Sequence, residues 1–143
     1  YFVIKYLSGK GFTPKPVNPG LAGQQILGFP VHAALADVPA PVDMVDIFRS
    51  SEAALEITRE AIRLKQRLGI KVVWMQLSVR NDQAAVEAEA AGLRVVMNRC
   101  PKIEYGRLSG EIGWAGVNSG LISSQRPKLA PGGVQSHLIG DKR

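Results

Sequence analysis

Residues 42–98 read VDMVDIFRSSEAALEITREAIRLKQRLGIKVVWMQLSVRNDQAAVEAEAAGLRVVMN. Three nearly unbroken apolar runs stand in this stretch, Val42–Phe48, Lys71–Leu77 and Arg94–Asn98, of the kind buried on both faces of a parallel sheet. Two helical patterns separate them. Ser50 or Ser51 can cap the first, whose inward stripe is Ala54, Ile57, Ala61, Leu64 and Leu68 and which stops at Gly69. Asn81 or Asp82 can cap the second, which runs through Ala91 and closes at Gly92. Strand, helix, strand, helix, strand with short joins predicts right-handed crossovers and an α/β fold built on an open doubly wound parallel sheet.

On the N-terminal side, Tyr1–Leu7 places Val3, Ile4 and Leu7 on one helical face, and Gly9 and Gly11 terminate the run. The chain therefore opens in mid-element. Phe12–Val17 is predicted to be a strand, short or weakly paired because Pro14 and Pro16 remove amide donors from the same side of it. On the C-terminal side, glycines thicken from Tyr105 onward (Gly106, Gly110, Gly113, Gly116, Gly120). This predicts a domain over residues 1–109 and an irregular glycine-rich extension over 110–143, with Trp114 docking on something.

With 143 residues, 45% of them hydrophobic, and a mean hydropathy of +0.01, there is apolar material for one core and not for two. The formal charge is +6, but Arg126, Lys128, Lys142 and Arg143 against Asp141 put +3 of it in the last eighteen residues. A mildly basic body suits an anionic small molecule. No basic stripe with interleaved aromatics argues for nucleic acid. The single cysteine, Cys100, rules out an internal disulfide, and no apolar stretch approaches the ~20 residues that span a membrane. A cytoplasmic protein is the expectation, with any targeting signal lying upstream of Tyr1.

In open parallel sheets, ligands bind beyond the carboxyl ends of the strands. Those ends are Val17-Asn18-Pro19-Gly20, Phe48-Arg49-Ser50, Gln76-Leu77-Ser78-Val79-Arg80 and Asn98-Arg99-Cys100-Pro101. All are polar or turn-forming, and arginine recurs in three. Guanidinium matches phosphate by bidentate geometry, although each of these arginines could instead pair with a helix carboxylate. Val17–Gly20 equally reads as a plain turn. A dinucleotide dehydrogenase would carry an acid near the end of its second strand, where this chain has Lys15, Val17 and Asn18. Asp46, inside an apolar strand, needs a partner, with Arg49 or a backbone amide expected ahead of a catalytic role. Cys100 reads either as a nucleophile beside Arg99 and Lys102 or as a small buried hydrophobe. His32 and His137 lack nucleophile partners at suggestive spacing, and two histidines with one cysteine make no zinc site.

The order and spacing of five segments resembles the small stand-alone coenzyme A-binding proteins. They are Pro16–Gly20, Gly28–Val31, Asp43–Arg49, Val73–Leu77 and Arg99–Glu104, and the likeness runs from Tyr1 to about Pro127. The chain is similar, more distantly, to the nucleotide-binding domain of the succinyl-coenzyme A ligase α subunit, whose Val-Thr-Pro-Gly-Lys, Asn-Cys-Pro and Gly-x-Pro-Val motifs align in order. The resemblance implies a Rossmann-like domain binding coenzyme A or an acyl-CoA. The 3′-phosphoadenosine would lie over the ends of the strands at 12–17 and 42–48, and pantetheine would reach past those at 71–77 and 94–98. Against that pattern the first strand and its glycine-rich phosphate loop are missing, Leu21 replaces the ligase lysine, and Ser78 stands where the family usually has glycine. The leading function is a binding module without catalysis of its own. The alternatives are the cofactor-binding part of an acyl-CoA ligase or transferase, an NAD(P)-binding protein, or a ligand-free scaffold. The ligase's phosphohistidine motif, Gly-His-Ala-Gly, has no counterpart here. Burial of Trp114 and Leu121–Ile122 against a second subunit would make the extension an assembly device for a homo-oligomer.

Overall fold

The computed structural model describes residues 1–109 in two compact units, the first Tyr1–Cys100 and the second beginning at Pro101. The first unit opens with helix α1 (Phe2–Gly9), which ends where the amides of Lys10 and Phe12 return to the Leu7 carbonyl and Gly11 turns to φ +90°. The strand predicted over Phe12–Val17 does not form. Among the described residues its only ladder contact is a parallel bridge between Val17 and His32, and Pro14 and Pro16 have no amide hydrogens with which to extend it. In its place a two-residue hairpin, β1 (Gln25–Ile26) and β2 (Phe29–Pro30), turns through Leu27 and Gly28, both at positive φ.

The sequence expectation holds through the centre. Strands β3 (Met44–Ile47), β4 (Val72–Met75) and β5 (Arg94–Val96) form a parallel sheet in the order β3-β4-β5, with Met44 opposite Val72 and Val73 opposite Val95. Helix α2 (Ser51–Leu68) connects the first two and helix α3 (Asp82–Ala90) the last two. Ser50 Oγ accepts the Ala53 amide at 3.3 Å, and α2 stops at Gly69, whose φ of 80° is the left-handed cap that glycine adopts freely. Asn81 Oδ1 caps α3 by accepting the Ala84 amide at 2.8 Å.

Strand alternation sends Val45, Ile47, Val73 and Met75 to one face of the sheet, and these join Ala54, Ala61, Leu68, Ala84 and Ala88 of the two helices in one core. Alanines on the helices allow close approach to the sheet. Ile57 and Leu64, expected in the inward stripe, are only partly buried, whereas Thr58 is fully so. Arg59 of α2 joins Glu87 of α3 by two hydrogen bonds of 2.8 Å, tying the helices above the core. The opposite face of the sheet carries Asp46 and Trp74, which are opposite one another in register.

The second unit begins with helix α4 (Pro101–Leu108). The helix continues through a buried Gly106, so the first of the clustered glycines lies within it. Within it Glu104, 2% exposed, accepts from Arg107 Nε at 3.2 Å. The extension over 110–143, with Trp114, Leu121–Ile122 and His137, lies outside the described residues. Among the described residues no helix is long and apolar enough to cross a membrane, and no cluster of His, Cys, Asp or Glu could hold a metal.

Candidate functional site

Because β3, β4 and β5 are parallel, the loops that follow them, 48–50, 76–81 and 97–100, emerge at one edge of the sheet. Phe48 is 60% exposed there and Arg49 is exposed, with no ion pair to another described residue. Ser50 caps α2, and the Glu52 carboxyl in the first turn is held below its usual range by its own backbone amide and then by Ser50. Amides at this helix start are thus engaged by the chain's own side chains.

The loop after β4 is fixed more tightly. Gln76 is buried and its side-chain amide donates to both Asp46 oxygens, at 3.1 and 3.0 Å. Asp46 therefore has neither Arg49 nor a backbone amide as its partner. Register explains this: Asp46 is opposite Trp74, so Gln76, two residues on, shares its face. Burial raises the Asp46 carboxyl to about 7, against the opposing effect of the Gln76 hydrogen bond. Beyond Gln76, Leu77 is 43% exposed and Ser78 has φ 69°. The Ser78 amide donates to Asn98 Oδ1 at 2.8 Å, the Val79 amide to the Gln76 carbonyl at 2.9 Å, and the Arg80 amide to Ser51 Oγ at 3.0 Å. Arg80 itself pairs with Asp82 at 3.1 Å in full view of solvent, the bland alternative anticipated for it. Such exposed pairs are worth ~0–1 kcal/mol and give way to a better anion.

In the third loop Asn98 has φ 55°, the Arg99 amide donates to the Met75 carbonyl, and the Arg99 carbonyl accepts Trp74 Nε1 at 2.7 Å. Cys100 is a buried free thiol, 8% exposed. Pro101 is buried at the start of α4, in the second unit.

The remaining expected segment, Val17–Gly20, is held by other means. Asn18 donates its amide to the His32 carbonyl, and its Oδ1 accepts the Gly20 amide at 2.9 Å, capping a 3-10 turn over Pro19–Leu21. His32 takes part through its backbone, donating to the Pro16 carbonyl. The hydrogen bonds that join the other three loops do not include this segment. Ser51, which joins those loops, was absent from the expected ligand edge, whereas Asn98, which also joins them, stood among the strand ends.

A family model for the CoA binding domain matches residues 1–106. The chain belongs to the CoA-binding domain family. This CoA-binding domain is 27% identical over 105 residues to the uncharacterized protein YneT of Bacillus subtilis, covering 73% of each chain. Among solved structures it is similar to a Thermus thermophilus protein designated ID.343, with 34% identity and a TM-score of 0.69, covering 76% of this chain and 78% of that one. It is similar also to a hypothetical protein from Pyrococcus horikoshii, with 36% identity and the same TM-score, covering 76% of this chain and 72% of that one.

Ser78, where the resemblance leads one to expect glycine, stands in the left-handed region at φ 69°. A left-handed conformation costs an L side chain about 1–2 kcal/mol that glycine escapes. In this CoA-binding domain Ser78→Gly is accordingly expected to raise stability by roughly 1 kcal/mol, offset in part by the freer unfolded chain. Urea unfolding checks it; a variant less stable than the parent would mean that the serine side chain contributes more than its backbone costs.

Proposed function

We propose that the protein binds coenzyme A or an acyl-CoA at the carboxyl edge of β3, β4 and β5 and does no chemistry on it. The observation that carries this reading is the placement of Arg49, Arg80 and Arg99 on the three loops of one edge, in a chain of this family. Coenzyme A brings a 3′-phosphate and a pyrophosphate, and guanidinium groups suit both. The described loop amides of Ser78, Val79 and Arg80 are already engaged, so phosphate contacts on that loop fall to side chains. Exposed Phe48 and Leu77 offer apolar surface beside the arginines for the adenine ring or the pantetheine arm. The absence of catalysis is supported by the state of the two groups best suited to chemistry: Cys100 is buried, and Asp46 is held by Gln76.

The test is an amide nuclear magnetic resonance titration of the isotopically labelled protein with coenzyme A. Shifts are expected in residues 48–50, 77–80 and 98–100, and not at the opposite edge, around Gly69–Lys71 and Gly92–Leu93. Shifts concentrated at the opposite edge would refute the placement.

A further inference from the structure

We propose that Ser51 and Asn98 are positioning residues that clamp the Leu77–Arg80 loop into its ligand-ready shape from opposite sides; this rests on the coenzyme A reading. Both backbone polar groups of Ser78 are satisfied by side chains distant in sequence. Its amide donates to Asn98 Oδ1 at 2.8 Å, and its carbonyl accepts from Ser51 Oγ at 3.4 Å. The same Ser51 oxygen accepts the Arg80 amide at 3.0 Å, while the Ser51 carbonyl accepts from Asn81 Nδ2 at 2.9 Å. From the other side the Asn98 amide donates to the Val79 carbonyl at 3.1 Å. One loop is thus stitched to the start of α2 and to the end of β5, and these are the loops that bear Arg49 and Arg99.

A left-handed Ser78 is unfavourable for the isolated segment, so the loop needs outside contacts to hold it. Asn98 supplies one and is itself left-handed at φ 55°, a conformation asparagine tolerates better than most residues. Ser51, in the first turn of a long and well-capped helix, is a rigid anchor. Holding the loop before the ligand arrives avoids the ordering cost that binding would otherwise bear.

Asn98→Gly removes the side-chain acceptor while permitting the positive φ. Ser51→Ala removes the hydroxyl, and Ser51→Thr restores it. The measurements are amide hydrogen exchange on the free protein and calorimetric titration with coenzyme A, with thermal melts to confirm that each variant folds. Slow exchange is expected at Ser78 and Arg80 in the parent. Asn98→Gly should accelerate Ser78, and Ser51→Ala should accelerate Arg80, each by about fivefold or more, with Ser51→Thr restoring the parent rate. Coenzyme A affinity should fall about fivefold in Asn98→Gly and in Ser51→Ala and recover in Ser51→Thr. Unprotected Ser78 and Arg80 amides in the parent would overturn the clamp. Protected amides with coenzyme A affinity unchanged in both variants would overturn the positioning role alone. Protected amides with no coenzyme A uptake by the parent would overturn the ligand reading, and with it the role assigned to the clamp.

Discussion

Asp46→Asn is expected to stabilise the protein at pH 8, by up to about 4 kcal/mol, and to change its stability little at pH 4. The carboxyl titrates near 3.8 when exposed and near 7 in the fold, because burial penalises its charged form more than the Gln76 amide favours it. A raised carboxylate pKa means that folding favours the protonated form. Below 3.8 both states are protonated and the group costs nothing. As pH rises from there to 7 the unfolded state loses its proton first, and stability falls until both states are charged. Over about three units, at 1.36 kcal/mol each, the penalty is about 4 kcal/mol. Asparagine stays neutral and keeps an oxygen for Gln76 Nε2. Urea unfolding of parent and variant at both pH values isolates the effect as a difference, which cancels the opposite contributions of Asp43 and Glu87, whose carboxyls are lowered mainly by hydrogen bonds from Lys71 and Arg59. A difference that does not grow with pH would show that Asp46 is solvated.

The central fold was legible because its signals are local. Apolar runs marked β3, β4 and β5, Ser50 and Asn81 marked helix starts, and Gly69 and Gly92 marked their ends. The failures have separate causes. Phe12–Val17 has the pattern of a strand, but a strand is made by its neighbour, and two prolines leave little with which to pair. The hairpin was hidden because its turn uses Leu27-Gly28 in place of the usual Asn-Gly or Asp-Gly.

At the candidate site, the edge and its three arginines followed from strand order alone. What joins the loops did not, since Ser51 to Arg80 and Ser78 to Asn98 span 29 and 20 residues and leave no periodic trace. The Asp46–Gln76 pair could have been found once β3 and β4 were set in register.

Of the binding predictions, the largest effect is expected from Arg49→Ala combined with Arg80→Ala. Each guanidinium that meets a phosphate contributes a charge-assisted contact of about 1.5–3 kcal/mol, so the pair of substitutions is expected to weaken coenzyme A binding by roughly a hundredfold or more. Both side chains are exposed and Arg80 has only a solvent-screened partner in Asp82, so thermal stability should change little. Raising the salt concentration should weaken binding by the parent more than by the double variant, since the parent has more charge to screen. Equal affinity in parent and double variant would move the phosphates elsewhere on the protein.

The central claim is a ligand, and calorimetric titration of the parent protein with coenzyme A, dephospho-coenzyme A and NAD addresses it directly. Saturable one-to-one binding is expected for coenzyme A, about tenfold weaker binding for dephospho-coenzyme A through loss of a phosphate contact, and weaker binding still for NAD. Binding of NAD without binding of coenzyme A would contradict the account.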